Sequence, residues 1–184
     1  MARARTGEVA AFEAIVSQYE PKLVRFIYGL TRERELAEDL CQDTLLSAYR
    51  ALPNAPADLK LSAWLYKIAL NKVRSEKRRK RPTSWFGLSF ASRDGGSAED
   101  LPTLDLPDLR ADPAGTVIER EVILKTLGRL PPDQAVAILM DAQGYEDDEI
   151  AATLACSVGA VRQKLFRGRK SFRAYYGSAD KSER

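Results

Sequence analysis

The sequence predicts an all-α protein with two small helical domains joined by a flexible linker, the second domain containing a helix-turn-helix. Three observations support this fold class. Apolar residues recur at helical spacing over long stretches of both halves, and no alternating strand pattern appears in the first half. Residues 82–115 combine four prolines with glycines and acidic side chains. A length of 184 residues is enough for two small domains.

The first half begins with three predicted helices. Helical spacing starts at Val9 and predicts a helix that Pro21 breaks, followed by a second helix that reaches Leu30. Thr31 is the predicted N-cap of the third helix, which ends at Pro53. This third helix has one apolar face and one polar face that is mostly acidic.

A fourth helix and a linker follow. Residues 54–58 predict a loop, Ser62 is the predicted N-cap of the fourth helix, and Pro82 stops that helix. Residues 1–81 are therefore expected to form a helical bundle. Residues 82–115 are expected to form an acidic, flexible linker. Its aromatic start around Trp85 is too apolar for a pure spacer, and we expect it to pack on the protein's own domains unless a partner takes it.

The second domain is expected to cover residues 116–177. One helix ends near Pro131, the next reaches Gly144, and a short helix surrounds Ile150.

The last predicted helix completes a helix-turn-helix. A tight turn over residues 155–157 leads into a long basic helix from Val158 to about Tyr176, which is the usual order of a short helix, a turn and a recognition helix. Residues 178–184 are expected to be a disordered tail.

The composition rules out much catalysis. The chain has no histidine, which removes the usual general base at neutral pH and the commonest nitrogen ligand for zinc. No motif for catalysis replaces it. We therefore expect a protein that is not an enzyme and that takes no metal or cofactor.

The cysteines and the N-terminus predict a cytoplasmic protein. Cys41 and Cys156 lie far apart within apolar patterns, unlike the cysteines of a secreted disulfide scaffold, and we interpret both as packing residues. The basic N-terminus is not followed by an unbroken apolar stretch of signal-peptide length, and we expect no membrane insertion.

Charge is sorted into blocks although the net charge is only +3. Residues 72–81 hold seven basic residues and one acid, and residues 162–173 hold six basic residues and no acid, so each block carries +6. Residues 82–115 carry −4, from six acids and two basic residues. One basic run is often only a solvated helix face. Two such runs on separate modules indicate a nucleic-acid binder.

The last helix has the chemistry of a base-reading helix. Ser157 is its predicted N-cap, and Val158, Val161 and Leu165 suit the domain core. Arginine can bind guanine, glutamine can bind adenine, and phenylalanine can contact a thymine methyl group. The candidate base-contacting residues are Arg162, Gln163 and Phe166. The candidate phosphate-contacting residues are Lys164, Arg167, Arg169, Lys170 and Arg173. The alternatives are nonspecific phosphate binding and packing on a partner protein.

At these residues the sequence resembles the bacterial RNA polymerase sigma factors of the extracytoplasmic-function (ECF) group. Four segments carry the resemblance in the family's order: residues 35–43 (ELAEDLCQD), residues 63–71 (AWLYKIALN), residues 130–132 (LPP) and residues 158–167 (VGAVRQKLFR). Two helix-turn-helix positions depart from the usual pattern. Glu146 stands where the family commonly has a Ser or Thr cap, and Ala155 stands where Gly is common.

The resemblance implies that residues 1–81 bind the clamp of core RNA polymerase and the −10 promoter element. It implies a core-binding set consisting of Glu38, Asp39, Leu40, Gln42, Asp43 and Leu45. The candidate residues for the −10 element are Asn54, Lys60, Ser62, Lys67, Asn71, Arg74 and Arg78. Here too the chain departs from the family, because residues 59–61 (LKL) replace the usual Arg-Gly before an aromatic residue. Trp64 is interpreted as a core residue rather than a platform for base stacking.

The resemblance also implies that residues 116–177 read the −35 element and contact the polymerase flap. The implied function is that of a sigma subunit, which selects promoters and helps to open DNA, with an anti-sigma protein as regulator. Two other functions remain open at this point. One is a conventional helix-turn-helix regulator that acts without core polymerase, and the other is an RNA-binding or ribosome-associated adaptor.

Overall fold

A computed structural model describes residues 8–56, 58–80 and 116–180. All regular structure within these residues is helical, which confirms the predicted fold class. The chain divides into two compact units, Met1–Asp94 and Gly95–Arg184, called here the first and the second unit. The predicted linker at 82–115, with Trp85 and its aromatic neighbours, and residues 181–184 of the predicted tail lie outside the described residues.

The first unit is a bundle of three helices, α1 (Val9–Thr31), α2 (Arg34–Ala51) and α3 (Leu61–Lys80), with a short 3-10 turn at Leu52–Asn54 between α2 and α3. Each helix contacts the other two. Phe26 of α1 and Tyr66 of α3 are fully buried, and their rings meet edge to face with centroids 4.8 Å apart. Aromatic pairs of this geometry add stability beyond the area they bury.

Pro21 lies inside α1, so the predicted break there is wrong. Proline removes one helical hydrogen bond and costs about 3 kcal/mol in a helix interior. The buried residues Ile15, Leu23 and Phe26 lie on both sides of it. Because both halves of α1 bury apolar side chains in one bundle, their burial offsets the local cost of the proline.

Two predicted N-caps in the first unit are also wrong. Thr31 is the last residue of α1, and its hydroxyl donates to the Ile27 carbonyl at 3.0 Å; the N-cap of α2 is Glu33. Helix α3 starts at Leu61, which places Ser62 within its first turn. A Thr or Ser hydroxyl can bond either to the helix behind it or to the helix ahead, and tertiary packing decides which.

The second unit has four helices: α4 (Thr116–Leu127), α5 (Pro132–Asp141), α6 (Asp147–Leu154) and α7 (Val158–Asp180). Helix α7 contacts all three others. It packs so closely on α5 that a Cβ added to Gly168 would lie 2.9 Å from Ile138 Cδ1 and 3.2 Å from Gln134 Cβ. It also continues to Asp180, past its predicted end near Tyr176 and into the segment predicted as a tail.

Both departures in the helix-turn-helix are accommodated by local hydrogen bonds. Glu146 and Glu149 form a reciprocal capping box at the start of α6. Ala155 takes the left-handed conformation (φ 54°, ψ 49°) that glycine adopts more readily, and its backbone N–H donates to the Ala151 carbonyl oxygen. The Ala160 N–H donates to Ser157 Oγ at 3.2 Å, which confirms Ser157 as a cap of α7.

The two cysteines are unpaired and lie in different units. Cys41 is buried beneath α1, and its thiol lies 3.8 Å from the Glu20 carbonyl oxygen. Burial and, to a smaller extent, the charge of Glu20 raise the pKa of Cys41 to about 12. Cys156 is half-buried in the turn between α6 and α7, and burial raises its pKa although Lys164 opposes the shift.

Over the residues that the structure describes, no helix has both the length and the apolar character that are needed to span a bilayer.

Candidate nucleic-acid and partner interfaces

The N-terminal half of α7 has one buried side and one accessible side. Val161 and Leu165 are buried in the core of the second unit, as predicted, whereas Val158 is only half-buried. Arg162 is exposed, and Gln163 and Phe166 are half-buried. All three predicted base-contacting residues therefore retain accessible surface on the first turns of the recognition helix, where helix-turn-helix proteins contact base edges.

The cations of α7 differ in their surroundings. Arg162 Nε lies 2.9 Å from Asp147 Oδ2 of α6, and Lys164 Nζ lies 3.5 Å from Asp133 Oδ2 of α5. Further along the helix Arg167, Lys170 and Arg173 are exposed. Exposed cations on the helix that follows the turn are well placed to contact phosphates.

Arg169 is the exception among the predicted phosphate contacts. Its Nη2 donates to Asp141 Oδ2 at 2.7 Å, and the two side chains are only 13% and 18% exposed. The pair joins α7 to the end of α5 within the second unit. Its role is consequently in packing these helices, because a guanidinium held this way has little surface left for a phosphate.

Helix α3 of the first unit carries four of the predicted −10 contacts beyond its first turn. Lys67, Asn71 and Arg78 are exposed along it, and Arg74 is half-buried. Arg79 is engaged with Glu76, with Nη2 2.8 Å from Oε1. The hydrogen bond and the charge of Glu76 raise the pKa of Arg79.

The start of α3 and the loop before it hold the other −10 candidates. Asn54 and Lys60 are exposed, whereas Ser62 is buried. Trp64 is half-buried. The exposed residues can meet a ligand directly, whereas Ser62 can act only through the shape of the first turn.

The predicted polymerase-binding residues all lie on α2 and fall into a buried group and an exposed group. Leu40 and Leu45 are buried in the bundle, so their side chains help to hold α2 in place and present little surface to a partner. The other four are exposed along one side of the helix: Glu38, Asp39, Gln42 and Asp43. Two of these make ion pairs, Glu38 with Arg34 at 2.9 Å and Asp43 with Lys72 at 3.7 Å.

The exposed side of α2 also carries two apolar residues that were not predicted. Leu46 is 53% exposed and Tyr49 is 42% exposed. The Tyr49 ring meets Phe12 of α1 edge to face, with centroids 5.0 Å apart. The available signal was spacing: Asp39, Gln42, Leu46 and Tyr49 recur every three or four residues, which places them on one helix face. We call Glu38, Asp39, Gln42, Asp43, Leu46 and Tyr49 the α2 surface.

The fold and these surfaces define a class of protein, a two-domain helical protein with a helix-turn-helix in its second domain. Family comparison gives the same division. Residues 15–83 match sigma-70 region 2, and residues 120–172 match sigma-70 region 4. Together the two matches account for most of the described chain.

Named relatives span nearly the whole chain. The RNA polymerase sigma-H factor of Pseudomonas aeruginosa is 29% identical over 175 residues, which is 92% of this chain and 88% of that protein. The ECF RNA polymerase sigma-E factor of Escherichia coli K12 is 28% identical over 178 residues, with the same coverage.

Two solved structures have the same fold. One is CnrH in complex with the cytosolic domain of CnrY, with a TM-score of 0.72, 25% identity, and coverage of 96% of this chain and 94% of that chain. The other is the sigma factor RpoE of Bartonella quintana in complex with the anti-sigma factor NepR, with a TM-score of 0.67, 25% identity, and coverage of 91% and 97%. The chain belongs to the sigma-70 family of RNA polymerase sigma factors, in its ECF group. The resemblance seen in the sequence is confirmed.

Proposed function

We propose that this chain is a promoter-specificity subunit, which binds core RNA polymerase, reads the −10 and −35 promoter elements and helps to open the DNA. The main support is that the chain matches both region 2 and region 4 of the sigma-70 family. In addition, each of the two units presents exposed cations on a helix. Sigma factors direct an enzyme and are not enzymes in themselves. We place the action of this chain in the cytoplasm, where RNA polymerase and promoters are found.

The second unit, which we take as the domain of residues 116–177, is assigned to the −35 element and the polymerase flap. Arg162, Gln163 and Phe166 read base edges, with Arg162 suited to a guanine. The phosphate contacts are assigned to Lys164, Arg167, Lys170 and Arg173. Arg169 is removed from this set because its charge is paired with Asp141 inside the unit.

The first unit, with residues 1–81 as its domain, is assigned to the −10 element. Opening DNA requires unstacked bases to be captured and the adjoining strand to be held by cations. The exposed or half-exposed candidates are Asn54, Lys60, Lys67, Asn71, Arg74 and Arg78. Residues 82–115 are assigned to the tether that joins the two readers.

The α2 surface is assigned to the polymerase clamp. It combines carboxylates with the exposed Leu46 and Tyr49, and an aromatic or aliphatic group within a polar rim is the usual composition of a strong protein contact. Leu40 and Leu45 support this surface from within the bundle.

An anti-sigma protein is the proposed regulator. CnrH and RpoE are each seen in complex with a partner, and the partner of RpoE is named as an anti-sigma factor. We assign such an inhibitor to the α2 surface, because a protein that covers it would compete directly with the polymerase clamp.

Run-off transcription with purified core polymerase and a genomic promoter library tests the proposed function. We expect initiation at a defined set of promoters, and we expect Arg162→Ala to lower it about tenfold or more through loss of a base contact. Lys125→Ala is the matched control, because it removes one exposed, ion-paired cation from the same unit. Absence of promoter-selective initiation by the wild-type chain would refute the proposal.

Core binding distinguishes a sigma subunit from a conventional helix-turn-helix regulator. We expect Gln42→Lys and Leu46→Ala to weaken binding to core polymerase while leaving the fold intact, since both side chains are exposed. A wild-type chain that binds promoter DNA selectively but does not bind core polymerase would favour the conventional regulator instead.

A further inference from the structure

The guanidinium of Arg162 is held by a carboxylate from the other helix of the helix-turn-helix. Its Nε–H donates to Asp147 Oδ2 at 2.9 Å, across 15 residues of sequence. Asp147 is the first residue of α6, and Arg162 is in the second turn of α7. Their side chains are 32% and 64% exposed, so the contact lies at the accessible edge of the unit.

The atom that makes this contact decides what remains for a ligand. An arginine has five N–H donors, and Asp147 engages the one on Nε. The two terminal amino groups form the end edge of the planar guanidinium, which is a different edge from the one that carries Nε–H. The end edge has the geometry for a bidentate contact with guanine O6 and N7, which is the commonest specific contact between a protein and DNA.

Two other cross-helix pairs of α7 have a different character. Arg169 and Asp141 are both largely buried and have little surface to offer. Lys164 pairs with Asp133 through a point charge, and a lysine has no planar fork to orient. Of these three pairs, the one at Arg162 is the most exposed. It joins a predicted base-contacting residue to the first residue of α6.

The Asp147 carboxylate also affects ligands that compete with a guanine for Arg162. A negative charge beside Arg162 repels phosphate oxygens, which disfavours use of this arginine as a general backbone contact. Specificity is a difference between affinities, and a repulsive element against the competitor increases it. One carboxylate can thus both orient the guanidinium and disfavour the competing ligand.

We infer that Asp147 is a positioning residue for base readout, which aims the terminal amino groups of Arg162 at a guanine. The inference rests on the proposed function, in which Arg162 reads the −35 element. Asp147 itself touches no base. Its effect is on discrimination between base pairs and not on the strength of nonspecific binding to DNA.

The test is competition binding by the full chain assembled with core polymerase. A −35 sequence is first selected from a randomised library by the wild-type complex. Affinity is then measured for that sequence and for every single base-pair change, with Asp147→Asn, Asp147→Glu, Arg162→Ala and the Asp147→Asn/Arg162→Ala double variant. Glu121→Gln is the matched control, because it removes one exposed, ion-paired carboxylate from the same unit.

We expect Asp147→Asn to reduce discrimination about tenfold at the base pair where Arg162→Ala also reduces it. Other positions should keep their preference. Glu121→Gln should keep full discrimination, Asp147→Glu should recover part of it, and the double variant should lose no more than Arg162→Ala alone. Thermal melting of each variant separates this effect from lost stability, because Asp147 also lies in the first turn of α6.

Two results overturn the inference alone. If Asp147→Asn discriminates as well as Glu121→Gln, the ion pair is incidental; if it discriminates better, the carboxylate is a competitor of DNA. A wild-type complex that selects no sequence, or an Arg162→Ala complex that selects as the wild type does, refutes instead the proposed role of Arg162. The two failures are therefore distinguishable.

Discussion

Arg169 and Lys170 are neighbours in sequence with the same charge, yet their surroundings are opposite. Arg169 pairs with Asp141 and is largely buried, whereas Lys170 is exposed. Removing one partner of a buried pair leaves an uncompensated charge, and removing an exposed cation does not. At the residue scale, the position of a cation on α7 predicts whether it serves the fold or the DNA.

We expect Arg169→Met to lower the free energy of unfolding of the second unit by about 3 kcal/mol, because Asp141 is left unpaired at a largely buried site. Urea denaturation followed by circular dichroism measures the loss. Lys170→Met is the control: stability should be unchanged, while the slope of log affinity for promoter DNA against log salt should fall by about 1. Equal stability of the two variants would contradict the structural role of Arg169.

At the scale of elements, the second unit depends on a close approach of two helices. Gly168 of α7 faces Ile138 and Gln134 of α5 with no room for a methyl group. Residues 135–140 of α5 are all buried, which leaves that helix little freedom to shift. The absence of a side chain at Gly168 thereby sets the distance between the recognition helix and its support.

We expect Gly168→Ala to destabilise the second unit by about 1–3 kcal/mol, because the added Cβ must displace Ile138 or separate the helices. The better helix propensity of alanine offsets only part of this cost. Gly177→Ala in the same helix is the matched control, since a Cβ there meets nothing within 4 Å. Thermal melting should show a lower midpoint for the first variant only, and equal midpoints would contradict the packing argument.

Local sequence signals predicted most elements and missed those set by tertiary contacts. Apolar spacing predicted α2 to α7, and the predicted cap Ser157 is in place. The predicted break at Pro21 is wrong, because a local rule cannot weigh the burial on both sides of the proline. Leu45 and Leu46 are adjacent and of the same residue type, yet one is buried and the other exposed; helical spacing separates them, and residue type does not.

The candidate site was predicted by residue type but not by pairing. The sequence picks out Arg162, Gln163 and Phe166 because their chemistry suits bases. It does not show that Asp147 lies against Arg162 or that Asp141 lies against Arg169, since these partners are 15 and 28 residues apart and meet only through the fold. Long-range ion pairs are the part of the site that needed the structure.

At the scale of the whole molecule, the proposed function distributes DNA reading over two units on one chain. Each unit is assigned one promoter element, and each alone is expected to bind that element weakly. Joining two weak readers raises the effective concentration of the second once the first has bound, provided that both sites can be reached together. Promoter selection then depends on the distance between the two elements as well as on their sequences.

We expect insertion or deletion of about three base pairs between the −35 and −10 elements to lower transcription at least tenfold, because simultaneous binding is lost. Run-off transcription over a series of spacer lengths measures this. Insertion of the same segment upstream of the −35 element is the control and should have no effect. Equal transcription at every spacing would show that one element alone determines promoter choice.

The two cysteines lie one in each unit, Cys41 in the helical bundle and Cys156 in the helix-turn-helix. Alkylating reagents attack the thiolate, and both burial and a pKa of about 12 keep Cys41 unreactive at neutral pH until the bundle opens locally. Cys156 is more accessible. The wild-type chain therefore carries a separate chemical probe in each unit: the alkylation rate of each thiol reports how readily its own unit opens, and a partner that covers only one unit should slow the labelling of that thiol alone.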